Sequence, residues 1–168
     1  MSTVDDRSAR ASRSGAPSDR MAMTGLEFFQ KMLAGGYQPP PMLQLLGIRL
    51  AEVEYGRVVF TATVEDRFYN GTGVAHGGFA ATLLDTALGC AINTTTPPGR
   101  RFTTLELKVN LTRGLTTAAG LVRCEGKVIH VGRSTAVSEA RIVDAAGKLY
   151  AHGTTTCIAI EAEKIPTG

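Results

Sequence analysis

The stretch Asn70-Gly71-Thr72-Gly73-Val74-Ala75-His76-Gly77-Gly78-Phe79-Ala80-Ala81-Thr82-Leu83-Leu84-Asp85-Thr86-Ala87-Leu88-Gly89-Cys90-Ala91-Ile92-Asn93-Thr94-Thr95-Thr96-Pro97-Pro98 decides the fold of this 168-residue chain. It opens as a glycine-rich loop, turns at His76-Gly77-Gly78 and continues as an apolar segment. Phe79, Ala80, Leu83, Leu84, Ala87, Leu88 and Ala91 recur at helical spacing, and Pro97-Pro98 close the run. The pattern predicts one helix of about four turns, buried on most of its circumference.

Asp85 sits in the middle of that helix, where a carboxylate loses hydration and helix propensity does not favour it. Ala81 and Thr82 precede it by a turn, and Leu88 and Gly89 follow by a turn. Small residues at 81 and 89 leave room beside it, and no Lys, Arg or His lies within a turn. Two readings stay open on this ground: a carboxylate that does chemistry, or one that meets solvent or a base from elsewhere in the fold.

The helix start carries a second feature. The first N–H groups of a helix lack intrahelical partners and sit at the positive end of its dipole. The Gly77 N–H is therefore a candidate oxyanion donor; a tight turn before a closely packed helix is the bland alternative. Gly77 and Asp85 are eight residues apart, which places them about 12 Å apart along one helix axis. A base and an oxyanion donor must both lie within about 3 Å of one reacting group. One helix cannot supply both, so if both act, the Asp comes from a second copy of the chain.

Asn70, then His76-Gly77-Gly78, then Leu83-Leu84-Asp85 on a small-residue helix resembles the phenylacetate-degradation (PaaI-like) branch of the hotdog acyl-CoA thioesterases, in the 4-hydroxybenzoyl-CoA thioesterase superfamily. The resemblance spans roughly residues 41–160. It implies an α+β hotdog fold, an antiparallel sheet wrapped around one long helix, and hydrolysis of an acyl-CoA to free acid and CoA. It also implies roles: Asp85 as general base or nucleophile, the partner subunit's Gly77 N–H as oxyanion donor, Asn70 orienting water or the thioester sulfur. His76 would steady the loop by hydrogen bonding, and Thr104, with Thr103 as second candidate, would help hold the water. Gly132-Arg133-Ser134 resembles the family's segment near the CoA nucleotide, with Arg100, Arg101 and Arg113 as weaker candidates. Coenzyme A is then part of the substrate, with no separate cofactor. Relatives often pair dimers, so the expected assembly is a homotetramer, a dimer of dimers. A non-catalytic acyl-CoA-binding or sensor protein on the same fold is the competing function; the carboxylate at 85 favours the enzyme, since a sensor does not need it.

The rest of the chain fits around this centre. With 43% hydrophobic side chains the length suits a single domain with a real core. A net charge of +3 without a Lys/Arg run suits an anionic small ligand and does not point to nucleic acid. Three cysteines, Cys90, Cys124 and Cys157, have neither metal-ligand nor disulfide spacing and read as core residues of a reduced, cytoplasmic protein. His76, His130 and His152 are too dispersed for a metal site. The Gly-x-Ser-x-Gly elbow and the phosphate loops are absent.

Residues 1–22 form a Ser/Ala/Arg-rich tail with no apolar h-region, expected to be disordered and neither a secretory signal nor a membrane span. Residues 23–46 form a helical arm. Thr24 and Glu27 make a capping box, Gly35-Gly36 end the helix, and Pro39-Pro40-Pro41 start a brief turn of helix through Leu46. The arm covers the sheet or a neighbouring subunit, or lines an acyl pocket with Phe28, Phe29 or Met42. The catalytic domain occupies 47–162. Strands are expected at Ile48–Tyr55, Arg57–Val64, Thr104–Thr112, Leu121–Val131, Ser134–Asp144 and Lys148–Ile160. In the third, alternation puts Leu105, Leu107, Val109 and Leu111 inward and Thr104, Glu106, Lys108 and Asn110 outward. The Ala136, Ser138, Ala140 face is small enough for a helix to approach closely.

Overall fold

The structure, a computed structural model, describes residues 20–161. Its elements run α1 (Gly25–Leu33), α2 (Pro41–Leu45), β1 (Arg49–Glu54), β2 (Arg57–Thr63), α3 (Gly77–Asn93), β3 (Arg100–Leu111), β4 (Leu121–Val131), β5 (Thr135–Val143) and β6 (Leu149–Glu161). The strands form a six-stranded sheet in the order β1-β2-β4-β5-β6-β3, with every pairing antiparallel. The sheet packs one face around α3, which is the hotdog arrangement. Most of the tail, residues 1–19, lies outside the described residues, and Arg20–Ala22 form a short 3-10 turn.

The central helix forms and stops for local reasons. His76 caps it, its Nδ1 accepting the Gly78 N–H at 2.9 Å. At the other end the Thr94, Thr95 and Thr96 hydroxyls donate to the carbonyls of Ala91, Ile92 and Asn93. Asn93 then joins β3 like a strand neighbour, its amide bonding both the N–H and the carbonyl of Phe102. Leu83, Leu84, Ala87, Leu88, Ala91 and Ile92 are fully buried, each large side chain contributing about 1.5–3 kcal/mol by burial.

The small face of the sheet is what lets the helix in. A Cβ on Gly126 would stand 2.4 Å from the Ala87 carbonyl oxygen. The Ser138 hydroxyl donates to the Leu88 carbonyl at 3.0 Å, and Ala136 and Ala140 are buried beside it. One face of α3 stays less covered: Gly78, Ala81, Thr82, Asp85, Thr86 and Gly89.

The arm follows its expected chemistry. Thr24 and Glu27 form the reciprocal capping box. Met23, Phe28 and Phe29 bury as a separate cluster against Leu50, Val53 and Cys90. Arg101, a residue only 5% exposed, fastens the arm: its guanidinium donates to the Thr96 hydroxyl and to the carbonyls of Arg20 and Met23. Burial lowers its pKa to about 10, so it stays charged at neutral pH, held by carbonyl dipoles.

The third strand departs from its simple alternation. β3 starts at Arg100, four residues before the expected Thr104, and its register with β6 shifts between Thr104 and Glu106. This bulge leaves Leu105 as the unpaired residue, 64% exposed, and reverses the side on which Thr104 falls. Thr104 pairs with buried Cys157 on the helix face, as Leu107 does with buried Thr155. Thr104 is therefore inward and Leu105 outward, the opposite of the periodic reading. Leu111 pairs with buried Ala151 yet is 57% exposed, because β3 is an edge strand.

Candidate active site

The site residues read from the sequence fall into two groups on α3. In the first, the Thr104 hydroxyl donates to Asp85 Oδ1 at 2.8 Å. The bulge at Leu105 makes this bond, since a regular strand would aim Thr104 at solvent. No Lys, Arg or His pairs with Asp85 among the described residues. Cys90 and Cys157 feel its charge, and burial pushes both thiols up, Cys90 to about 12. Both are neutral at physiological pH, so Asp85 is half-buried on an apolar helix with a hydroxyl as its hydrogen-bond donor.

The Gly132-Arg133-Ser134 turn belongs with this group by register. Thr135 pairs with Ile158, and Ile158 pairs with Thr103, so the turn lies one strand away from Thr103 and Thr104. The Gly132 N–H donates to the Thr135 carbonyl and the Ala159 N–H to the Ser134 carbonyl. Arg133 is exposed at the tip.

The second group surrounds the helix N-terminus. Asn70 Oδ1 accepts from the Thr72 N–H at 2.8 Å and the Thr72 hydroxyl at 2.7 Å, which shapes the loop and leaves its Nδ2 as the donor that can face a ligand. The His76 N–H donates to the Phe68 carbonyl at 2.7 Å, and the Ala75 N–H to the Leu115 carbonyl at 2.8 Å. His76 Nδ1 takes the Gly78 N–H and the His76 carbonyl takes the Phe79 N–H. Neither bond involves the Gly77 N–H, the first of the helix.

Two cavities adjoin the start of α3, one lined by Gly77 and the other by its neighbours His76 and Gly78. One, of 310 Å³, is lined by Asn70, Gly77, Ala80, Leu111, Arg113 and Tyr150 among others. The other, of 410 Å³, is lined by Met42, Leu46, Phe68, His76, Phe79 and Thr82 among others. Asp85 and Thr104 line neither. The structure thus joins Asp85 and Thr104 directly, sets the Arg133 turn across β6 from Thr103 by register, and separately brings Asn70, His76 and Gly77 together about 12 Å away along α3.

Arg113 gains weight over the other weak candidates, being exposed in the Gly77 cavity. In sequence it stands behind Arg133, whose segment carries the family resemblance. Arg101 is consumed by the arm, and Arg100 lies 3.7 Å from Glu161 and stacks over Phe102. Phe28 and Phe29 pack inside the arm cluster, whereas Met42 lines the larger cavity. Phe68 and Thr82, absent from the sequence-based candidates, enter here; the Phe68 ring stacks on Phe79 at 4.6 Å. Among the described residues no helix is long and apolar enough to cross a membrane.

A six-stranded antiparallel sheet wrapped around one long helix defines a hotdog protein. Comparison with known proteins gives the family. The thioesterase superfamily model matches residues 72–151. The 1,4-dihydroxy-2-naphthoyl-CoA hydrolase of Listeria monocytogenes is 30% identical over 106 residues, 63% of this chain and 85% of that protein. The chain belongs to the thioesterase superfamily and is a hydrolase by kinship. Among solved structures, the PaaI protein of the Escherichia coli phenylacetic acid degradation operon aligns with a TM-score of 0.70 and 26% identity, covering 79% of this chain and 92% of that one. A Streptococcus mutans protein bound to acetyl CoA aligns with a TM-score of 0.62 and 27% identity, covering 68% and 89%.

Proposed function

We propose that this protein hydrolyses acyl-CoA thioesters in a site shared by two subunits. The observation that carries this reading is the bond from Thr104 to Asp85, about 12 Å along the helix from the unengaged Gly77 N–H. Symmetric pairing of two such helices sets the Asp85 of one chain against the Gly77 of the other and yields two equivalent sites. The CoA hydrolase kinship and the acetyl-CoA-bound neighbour support the substrate class.

In the reaction, the thioester carbonyl oxygen accepts the Gly77 N–H of one chain. Asp85 of the second chain takes a proton from water, and the hydroxide formed attacks the carbonyl carbon. The Thr104 hydroxyl fixes Oδ1 and leaves Oδ2 to face the water. The tetrahedral oxyanion is held by the Gly77 N–H and the helix dipole. Its collapse breaks the carbon–sulfur bond, and the proton on Asp85 passes to the leaving thiolate. If Asp85 instead attacks directly, an Asp–acyl anhydride forms first and water then cleaves it; single turnover in ¹⁸O-water separates the routes, since only the second can label Asp85. Asn70 Nδ2 orients the water or the sulfur. Arg133 from the Asp85 side and Arg113 from the Gly77 side supply cations for the CoA phosphates. No separate cofactor takes part, and the active assembly is a dimer, paired further into a tetramer.

The test is Asp85→Asn assayed against a panel of acyl-CoAs. A lost general base lowers turnover about 10²–10⁴-fold, with Tm and acyl-CoA binding retained. A folded Asp85→Asn protein with near-normal turnover overturns the assignment.

A further inference from the structure

We infer that the 410 Å³ cavity is the acyl subsite and that Met42 and Leu46, at the arm helix α2, set the length of acyl group it accepts; this rests on the thioesterase reading above. The two cavities at the start of α3 differ in chemistry. The smaller carries Asn70, Thr112 and Arg113, whereas the larger is walled by Met42, Leu46, Phe68, Tyr69 and Phe79, and the Arg67 that also lines it lies over the Phe68 ring and pairs with Glu65. A thioester whose carbonyl meets the Gly77 N–H must send its two substituents opposite ways. The anionic CoA arm suits the side with Arg113, which has no ion-pair partner among the described residues, and the apolar acyl group suits the side with the rings, where Arg67 is already paired with Glu65.

The cavity floor leads to the chemistry. Its lining residues His76 and Gly78 bracket Gly77, so the cavity opens beside the oxyanion donor, and Thr82 lies one turn further along the less covered face of α3. The back wall is rigid: Phe79 is 5% exposed, and the Phe68 ring stacks on it at an interplanar angle of 16°. The volume falls in the range of about 300–1,000 Å³ typical of small-molecule sites, so it accommodates more than a two-carbon acyl group. The remaining wall comes from the arm. Pro40 and Pro41 fix the start of α2, and Met42, the next residue, is 57% exposed beside the cavity. An unbranched thioether at that place can bend over a bound chain. The arm is thus placed to read how far the acyl group extends, while the residues at Gly77 and Asp85 stay unchanged.

The experiment measures kcat/KM for straight-chain acyl-CoAs from acetyl to hexadecanoyl with wild type, Met42→Ala, Met42→Trp and Thr82→Met. Each buried methylene raises wild-type kcat/KM about fourfold until the chain meets the arm, where the series levels. Met42→Trp moves that break at least two carbons shorter and lowers kcat/KM for longer chains, relative to that for acetyl-CoA, at least about tenfold. Met42→Ala moves the break longer. Thr82→Met fills the cavity from the helix side, so it shortens the profile even if an indole at 42 swings into solvent. Active enzymes with one common profile overturn the acyl assignment. A shift with Thr82→Met alone, and none with either Met42 variant, overturns the role of the arm. A wild type that neither binds nor hydrolyses any member overturns the thioesterase reading and this inference with it.

Discussion

Consider two inactive variants mixed together: Asp85→Asn, which lacks the base, and Gly77→Pro, which lacks the oxyanion donor. The structure makes the second a clean perturbation. Gly77 is the first residue of α3, a position where proline is well tolerated because its N–H has no helical partner. The preceding residue, His76, has φ −56° and ψ 137°, the extended conformation that a following proline requires. Among the described residues, the only heavy atom a Cβ there would crowd is Leu111 Cδ1 at 2.8 Å, the tip of a flexible and exposed side chain. Loss of the base costs about 10²–10⁴ in rate and loss of one donor about 10²–10³, so each parent retains at most about 1% of wild-type activity. If the site spans two chains, a mixed dimer holds one intact site and one doubly broken site. Random pairing of equal amounts makes half of all dimers mixed, so activity returns to about a quarter of wild type, well above either parent. The assay is thioester hydrolysis after subunit exchange, with native mass spectrometry to count heterodimers. Confirmed heterodimers without recovered activity would refute the 12 Å argument and put the site within one chain.

Further outcomes follow from other contacts. Thr104→Val removes a hydrogen bond to a charged group, worth about 1.5–3 kcal/mol, and lowers kcat about ten- to a hundredfold; Thr104→Ser restores it, which a role in packing alone would not allow. Arg133→Ala and Arg113→Ala each raise KM for acyl-CoA with little change in kcat, and the effect shrinks as salt rises; equal KM values at low salt would place the phosphates elsewhere. Arg57 lies within 3.1 Å of Glu52, Glu54 and Glu125 on the outer face of the sheet. Arg123 and Arg57 hold Glu52, and Arg57 first of all holds Glu125, below the ordinary carboxylate value of 4.5. Stability from carboxylates lowered in this way is full above pH 4.5 and is lost as pH falls through their folded values. Arg57→Gln therefore lowers Tm by about 2–4 °C at neutral pH, and the difference from wild type narrows in melts run below pH 4.5; a constant difference across that range would discount the ion pairs.

The arm and the central helix were legible because their signals are local. The capping box needs only Thr24 and Glu27 three residues apart, and α3 declares itself through apolar spacing, a turn at His76 and prolines beyond its end. Strand limits came within one or two residues wherever alternation was regular, and β4 matched at both ends. Asp85 stood out because a carboxylate on an apolar helix conflicts with its surroundings, which is a local contradiction.

What the linear order could not decide was everything set by a neighbour distant in the chain. The direction of Thr104 depends on a bulge that exists only in the pairing of β3 with β6, and one unpaired residue reverses the face on which every earlier side chain of the strand falls. Arg101 and Arg113 look alike in sequence, yet the folded chain buries the first under the arm and leaves the second in the Gly77 cavity. Phe28 and Met42 stand in sequence as alternatives for one role and part company in the fold, because an aromatic ring finds partners within the arm while the exposed thioether is left beside Phe68 and Phe79. Sequence by itself determined which elements form and which group is chemically out of place. Tertiary structure decided which side chains share a space, because that depends on register and on the packing of segments many residues apart.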